Sequence, residues 1–216
     1  MAGLTSPRAV LFDMDGVLVR SEDVWFHVLE EAGARFRGRP VTREEFAPTF
    51  GQGTAADVRV FGLGCTTEEL DRFYIERFPA HAHGVWVDPE AARVLTALRS
   101  RGFETGLVTN TVLKLAEHVL EAAGLRGLLD SISCADLVPH AKPAPDLVHH
   151  ALEQLGRAPA EAWMVGDSRY DREAAGAAGV FFVGYGGIGG DTQVATLGEL
   201  AALPELQQPH ERPGRV

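Results

Sequence analysis

Residues 8–17 read RAVLFDMDGV: an apolar run from Arg8 to Phe12, two carboxylates, Asp13 and Asp15, separated by Met14, and then Gly16. A short apolar run that stops at a turn suits a strand buried on both faces. Runs of the same kind follow at Glu104–Val108, Ala162–Val165 and Val180–Val183, and Ser131–Cys134 is a further strand candidate. Helical patterns with recognisable ends lie between them. One opens with Asp88 as N-cap and Pro89 at the first position, repeats Ala92, Leu95 and Leu98, and stops at Gly102. Others cover Val112–Ala123, Asp146–Leu155 and Asp171–Ala178 and end at Gly124, Gly156 and Gly179. Strands alternating with helices predict an α/β fold on a parallel sheet.

The spacing is uneven. About 90 residues separate the first two strands, where a strand–helix–strand unit takes about 30. Inside that gap Val24, Val28 and Leu29 share a helical face, and Thr42…Glu45 and Thr66…Glu69 both fit the capping-box pattern. The expectation is a small α-helical cap domain inserted at residues 17–88, with residues 1–16 and 89–216 forming the core. Such a cap would sit over the end of the first strand, where open α/β sheets hold ligands.

Apolar residues make up 45% of the chain and charged residues 23%, and no apolar stretch is long enough for a membrane span. The opening residues, MAGLTSPRAVLF, lack a basic segment followed by a long apolar one, so a cytoplasmic protein is expected. Residues 207–216 are polar, contain proline and are expected to fray. A net charge of -10 argues against nucleic acid, whose binding calls for basic patches that displace counterions. Small anions stay open, because local cations, backbone amides and a bound metal act at close range while surface charge is screened. Cys65 and Cys134 stand in unrelated contexts and read as reduced packing thiols.

Asp13 and Asp15 stand in a strand-to-loop turn, and Gly16 would ease a bend that brings both to one site. Taken singly, each polar candidate has an ordinary reading. Asp13 and Asp15 could be solvated loop acids, Thr109-Asn110 a helix N-cap, Lys142 an exposed lysine, and Asp171 a helix cap after Asp167. Their placement joins them, because each stands at the C-terminal end of a different parallel strand.

With DMDGV at Asp13, VTN at Thr109, AKPAPD at Lys142 and VGDSRYD at Asp167, in that order, the sequence resembles the haloacid dehalogenase superfamily over residues 8–183. The resemblance is to its phosphatase branch with a helical cap, and LFDMDGVLV with VGDSRYDREAAGAAGV looks most like phosphoglycolate-phosphatase-like and β-phosphoglucomutase-like members. It implies a Rossmann-like core in which Asp13 attacks the substrate phosphorus and Asp15 serves as acid and then base. Thr109 and Lys142, with backbone amides near Gly16 and Asn110, would offset charge on the phosphoryl oxygens. It further implies Mg²⁺ held by Asp13, the main-chain carbonyl of Asp15 and Asp167, with Asp171 in that shell or just behind it. The substrate would be a small phosphorylated metabolite, phosphoglycolate-like or a sugar phosphate, and monomer and homodimer both stay open. In the cap, Gln52 of the Gly51-Gln52-Gly53 turn is a candidate substrate contact, set against a plain inter-helix turn. Arg20, where relatives often carry an acid, is a candidate anion contact, set against a surface arginine.

A dehalogenase of the same superfamily lacks the second acid, so Asp15 argues against one. Sugar-phosphate mutases of this type carry a histidine ten residues after the second aspartate. Trp25 stands at that position, and His27 lies about 200° around a helix from it. A non-catalytic phosphate binder would keep the motifs without turnover. His81, His83, His149 and His150 read as surface or cap residues, and Trp25, Trp86 and Trp163 as packing.

Overall fold

The computed structural model describes residues 6–210. Residues 1–5, part of the stretch read for an export signal, and 211–216, part of the tail expected to fray, lie outside the described residues. Strand β1 (Ala9–Phe12) is wholly buried, with Val10 and Phe12 turned to one apolar layer and Ala9 and Leu11 to the other. The inserted segment then carries β2 (Val19–Arg20), α1 (Glu22–Phe36), α2 (Arg43–Phe46), α3 (Thr54–Val60), α4 (Thr67–His81) and β3 (Trp86–Val87). Strands β2 and β3 pair antiparallel, Val19 opposite Val87, so the chain leaves and re-enters the core through one two-stranded ribbon. Both expected capping boxes form, Thr42 with Glu45 at the start of α2 and Thr66 with Glu69 at the start of α4.

The core resumes with α5 (Ala91–Ser100), β4 (Glu104–Thr109), α6 (Leu113–Ala122), β5 (Ser131–Cys134) and α7 (Asp146–Leu155). It ends with β6 (Ala162–Gly166), α8 (Arg169–Ala178), β7 (Phe181–Tyr185), β8 (Thr192–Val194) and α9 (Leu197–Ala202). The sheet runs β5-β4-β1-β6-β7-β8 with every pairing parallel. Helices α5, α6 and α9 cover the face that carries Val10 and Phe12, in one apolar cluster with the cap residues Val24, Val28, Leu70 and Phe78. Helices α7 and α8 cover the other face. Because β4 and β6 flank β1, the strand order reverses at β1, and the crevice that reversal opens lies at its C-terminal end.

Some element ends differ from expectation. Helix α5 begins at Ala91, because the Asp88 carboxylate accepts from the Glu90 amide at 2.8 Å in a turn that precedes the helix. Helix α8 begins at Arg169, because Ser168 is the N-cap and Asp171 its reciprocal partner one turn on. Strand β8, with the sequence TQV, carries too little apolar signal to be read and forms by pairing with β7. The segment 207–210 is docked: the His210 amide donates to the Arg101 carbonyl at 2.7 Å, and its ring meets Phe103 edge-on. No helix among the described residues is long and apolar enough to cross a membrane. Both cysteines are free thiols, and burial pushes that of Cys134 up to about 12.

Candidate active site

Asp13 prolongs the sheet by one step beyond β1, its amide donating to the Val165 carbonyl at 2.9 Å. Thr109 is the last residue of β4 and Gly166 the last of β6, so three adjacent strand ends deliver polar groups to one crevice. Gly16 shapes the loop between the two acids. Its φ is +98°, and a Cβ there would collide with the Asp167 carboxylate. Its amide is spent on the Val19 carbonyl at 2.7 Å, so this glycine serves by admitting Asp167 rather than by offering an N–H.

Lys142 is the hub. Its ammonium, 4% exposed as a residue, donates to Asp13 Oδ1 at 2.7 Å, Asp171 Oδ1 at 2.7 Å and the Val108 carbonyl at 2.9 Å, which assigns all three of its protons. Burial alone would lower its pKa, but the charges of Asp13 and Asp171 outweigh burial and hold it above the usual lysine range. Asp171 Oδ2 in turn accepts from the Ser168 amide at 3.0 Å and the Ser168 hydroxyl at 2.5 Å. Both oxygens of Asp171 are therefore engaged, and it braces Lys142. Carboxylate oxygens of Asp13, Asp167 and Asp171 come within 4.8 Å of one another. Burial, then the charge of Asp171, raises Asp13 well above the ordinary carboxylate range and pushes Asp167 up to about 7. Oxygen donors crowded this closely, with Lys142 beside them, suit a hard divalent cation that would relieve their repulsion.

Asp15 is held separately. Ser21 donates to its Oδ1 and Thr111 to its Oδ2 at 3.2 Å. Burial raises the Asp15 pKa, while the bonds from Ser21, Thr111 and the Trp25 side chain hold it down. Ser21 stands at the N-cap of α1 without capping it, because its hydroxyl is turned to Asp15. Thr109 is buried, and its hydroxyl oxygen accepts from the Thr111 amide at 3.1 Å. The Asn110 side chain stitches loops together: Nδ2 donates to the carbonyls of Gly51 at 2.9 Å and Lys142 at 3.0 Å, and Oδ1 accepts from the Lys142 amide at 2.8 Å. It thereby ties the cap turn to the loop that carries Lys142.

Cap and core enclose a cleft of about 590 Å³, its mouth included, lined by Asp13, Asp15, Thr109, Asn110 and Lys142 below and by cap residues including Gln52 above. Arg20 does not line it; its guanidinium lies 4.6 Å above the Trp86 ring on the ribbon. His27 stacks on His81, and no histidine lines the cleft among the described residues. Trp25, read from sequence as packing, packs against Tyr74 and Phe78 and also forms part of the cleft wall.

Sequence reasoning missed Ser21, Thr111 and, in the cap, Asp57 with Tyr74. Asp57 is buried and accepts from Gln52 Nε2 and from the Tyr74 hydroxyl, each at 2.8 Å. Burial raises its pKa to about 7 against the pull of those two bonds. A signal existed, since Thr54 and Asp57 alone form the buried stripe of α3 and a carboxylate on such a stripe calls for a purpose.

The family model that matches the chain is the haloacid dehalogenase-like hydrolase, over residues 7–179. A phosphoglycolate phosphatase of Rhodospirillum rubrum is 32% identical over 212 residues, covering 93% of this chain and 88% of that protein. Another from Chromobacterium violaceum is 31% identical, covering 91% and 96%. The crystal structure of CbbY from Rhodobacter sphaeroides in complex with phosphate superposes with a TM-score of 0.82 at 25% identity, over 93% of this chain and 99% of that one. With its crevice at the end of β1 and its helices inserted after that strand, the chain belongs to the haloacid dehalogenase-like hydrolases, as an enzyme of their phosphatase branch.

Proposed function

We propose that the enzyme is a Mg²⁺-dependent phosphomonoester hydrolase of small metabolites that works through an aspartyl-phosphate on Asp13. One observation carries this reading: Lys142 pins Asp13 Oδ1 and Asp171 together at the end of β1, while Asp15 is held apart by Ser21 and Thr111. Two carboxylates in one crevice thus have separate environments, which suits a nucleophile and an acid–base group.

Asp13 Oδ2, which has no protein hydrogen bond among the described residues, attacks phosphorus as the phosphorus–ester oxygen bond breaks. The leaving alkoxide takes the proton of the Asp15 carboxyl. Water, deprotonated by Asp15, then attacks the phosphorus of the aspartyl-phosphate and returns Asp13 as a carboxylate. Lys142 keeps Asp13 oriented throughout, and the Thr109 hydroxyl donates to a phosphoryl oxygen. Mg²⁺ would be held by Asp13, Asp167 and the main-chain carbonyl of Asp15, and would supply the positive charge that lets an anionic phosphate approach an anionic carboxylate. Asp171 stands behind that set, bracing Lys142.

The relatives' names make phosphoglycolate and sugar phosphates the first esters to try; one solved relative, CbbY, is recorded with xylulose-(1,5)bisphosphate. Trp25, in the position where mutases carry a histidine, favours transfer to water over transfer to a sugar hydroxyl. The test is phosphate release from a panel of small phosphoesters with Mg²⁺, beside EDTA and Asp13→Asn. Metal-dependent release lost in the variant is expected; a folded, metal-bound protein releasing none would point to a mutase or a binder.

A further inference from the structure

Resting on the phosphatase reading, we propose that the cap selects phosphoesters whose leaving alcohol is uncharged and carries a hydroxyl, that it disfavours carboxylate-bearing esters such as phosphoglycolate, and that Asp57 is the positioning residue that sets this preference.

The upper cleft is short of cations. Lys142 is the one basic side chain lining it among the described residues, and its protons are all assigned at the phosphoryl end. Three side-chain donors of the cap wall are committed inward: Thr49 Oγ1 donates to the Phe46 carbonyl at 2.7 Å, and the Tyr74 hydroxyl and Gln52 Nε2 both donate to Asp57.

Asp57 decides how Gln52 stands. Above its folded pKa of about 7 Asp57 is a carboxylate paired by two donors and accepts only, so it draws the amide nitrogen of Gln52 and leaves Oε1 as the free end, without a protein partner among the described residues. What Gln52 and Asp57 offer a substrate is therefore acceptors, Gln52 Oε1 and the Asp57 carboxylate, among the apolar surfaces of Leu29, Phe46 and Phe50. A hydroxyl entering there finds a partner. A carboxylate would shed water without gaining a cation, and would face Asp57 and the charge of nearby Asp71.

The test is a matched pair. 2-Hydroxyethyl phosphate and phosphoglycolate have the same length and differ only in CH₂OH against COO⁻, and ethyl phosphate lacks both groups. The expected kcat/KM favours hydroxyethyl phosphate over phosphoglycolate by about tenfold to a hundredfold, the range set by leaving a buried polar group unmatched. In Asp57→Asn the wall loses its negative charge, and where the new amide nitrogen faces Gln52 that side chain turns its own nitrogen outward, so the ratio falls by about tenfold or reverses. Gln52→Leu brings hydroxyethyl and ethyl phosphate to similar kcat/KM and serves if Asp57→Asn does not fold. Calorimetric titration of Asp13→Asn with the same esters gives the same order of affinity without turnover. Phosphoglycolate handled as well as or better than its hydroxyl counterpart, or a ratio unmoved in a folded Asp57→Asn, overturns the proposal. If no ester is hydrolysed, p-nitrophenyl phosphate included, the phosphatase reading fails by itself, and the titration decides: hydroxyethyl phosphate bound more tightly supports the selectivity, and equal or reversed affinities overturn it.

Discussion

Lys142→Met keeps the unbranched stem of the side chain and removes its ammonium, so it isolates what that charge does. The loss includes two charge-assisted bonds at 2.7 Å and one to a carbonyl at 2.9 Å, all within the protein. At about 1.5–3 kcal/mol for each bond to a charged group the two acid contacts come to about 3–6 kcal/mol, in line with the roughly 3–5 kcal/mol lost when one partner of a buried pair is removed. In EDTA at pH 7, with a urea slope of about 2 kcal/mol/M, the unfolding midpoint should fall by about 1.5–2.5 M. Acids whose folded pKa lies above the ordinary value give stability that is complete below the ordinary pKa and lost as pH rises through the folded one. Asp13 is already raised, by burial first, and without Lys142 it rises further, so the deficit of the variant should shrink as pH falls towards 4. Adding Asp171→Asn should return part of the loss. With Mg²⁺ and a good ester, kcat should fall by about a hundredfold to a thousandfold. A variant that loses less than about 1 kcal/mol, with a deficit that is flat in pH, would refute the hub role assigned to Lys142.

Ser21→Ala removes a donor that holds the raised pKa of Asp15 down, so the alkaline limb of kcat/KM, set by loss of the proton Asp15 must deliver, should move to higher pH; a shift to lower pH contradicts the acid role. Asp57 stands at about 7 when folded against an ordinary 3.8, so the wild type should lose stability relative to Asp57→Asn between about pH 4 and 7, by up to about 4 kcal/mol. Parallel urea titrations across that window check it, and an unchanging gap means that Asp57 is charged at little cost. Mg²⁺ must displace the proton of Asp167, whose pKa is pushed up to about 7, so its affinity by calorimetry should climb as pH rises towards 7; a flat profile would exclude this ligand.

The sheet, the inserted helices and the main acids could be read from sequence because their signals are local. An apolar run ending at Asp13, a glycine after a helix, and the boxes at Thr42 and Thr66 each span a few residues. What escaped depends on tertiary approach. Asn110 reads locally as a helix cap, yet its amide bonds partners 32 and 59 residues away. Ser21 looks like the cap of α1 and instead serves Asp15, a choice made only when the loop after β1 folds back. Gly16 is legible as a bend but not as the gap that Asp167 fills, since Asp167 arrives from β6. Asp57 joins Gln52 and Tyr74 through the packing of α3 on α4, which no spacing along the chain reveals. Strand β8 exists because β7 offers it a partner, not because TQV prefers to be a strand.

The central claim is that Asp13 carries the phosphoryl group. Enzyme mixed with Mg²⁺ and a good ester should be quenched within one turnover, reduced with borohydride to convert an acyl-phosphate to the alcohol, and digested so that the Ala9–Arg20 peptide can be sequenced by mass spectrometry. The account predicts homoserine at position 13 alone, with unmodified Asp15, and nothing in Asp13→Asn. An unmodified peptide from enzyme that is turning over, or reduction at Asp15, would contradict it.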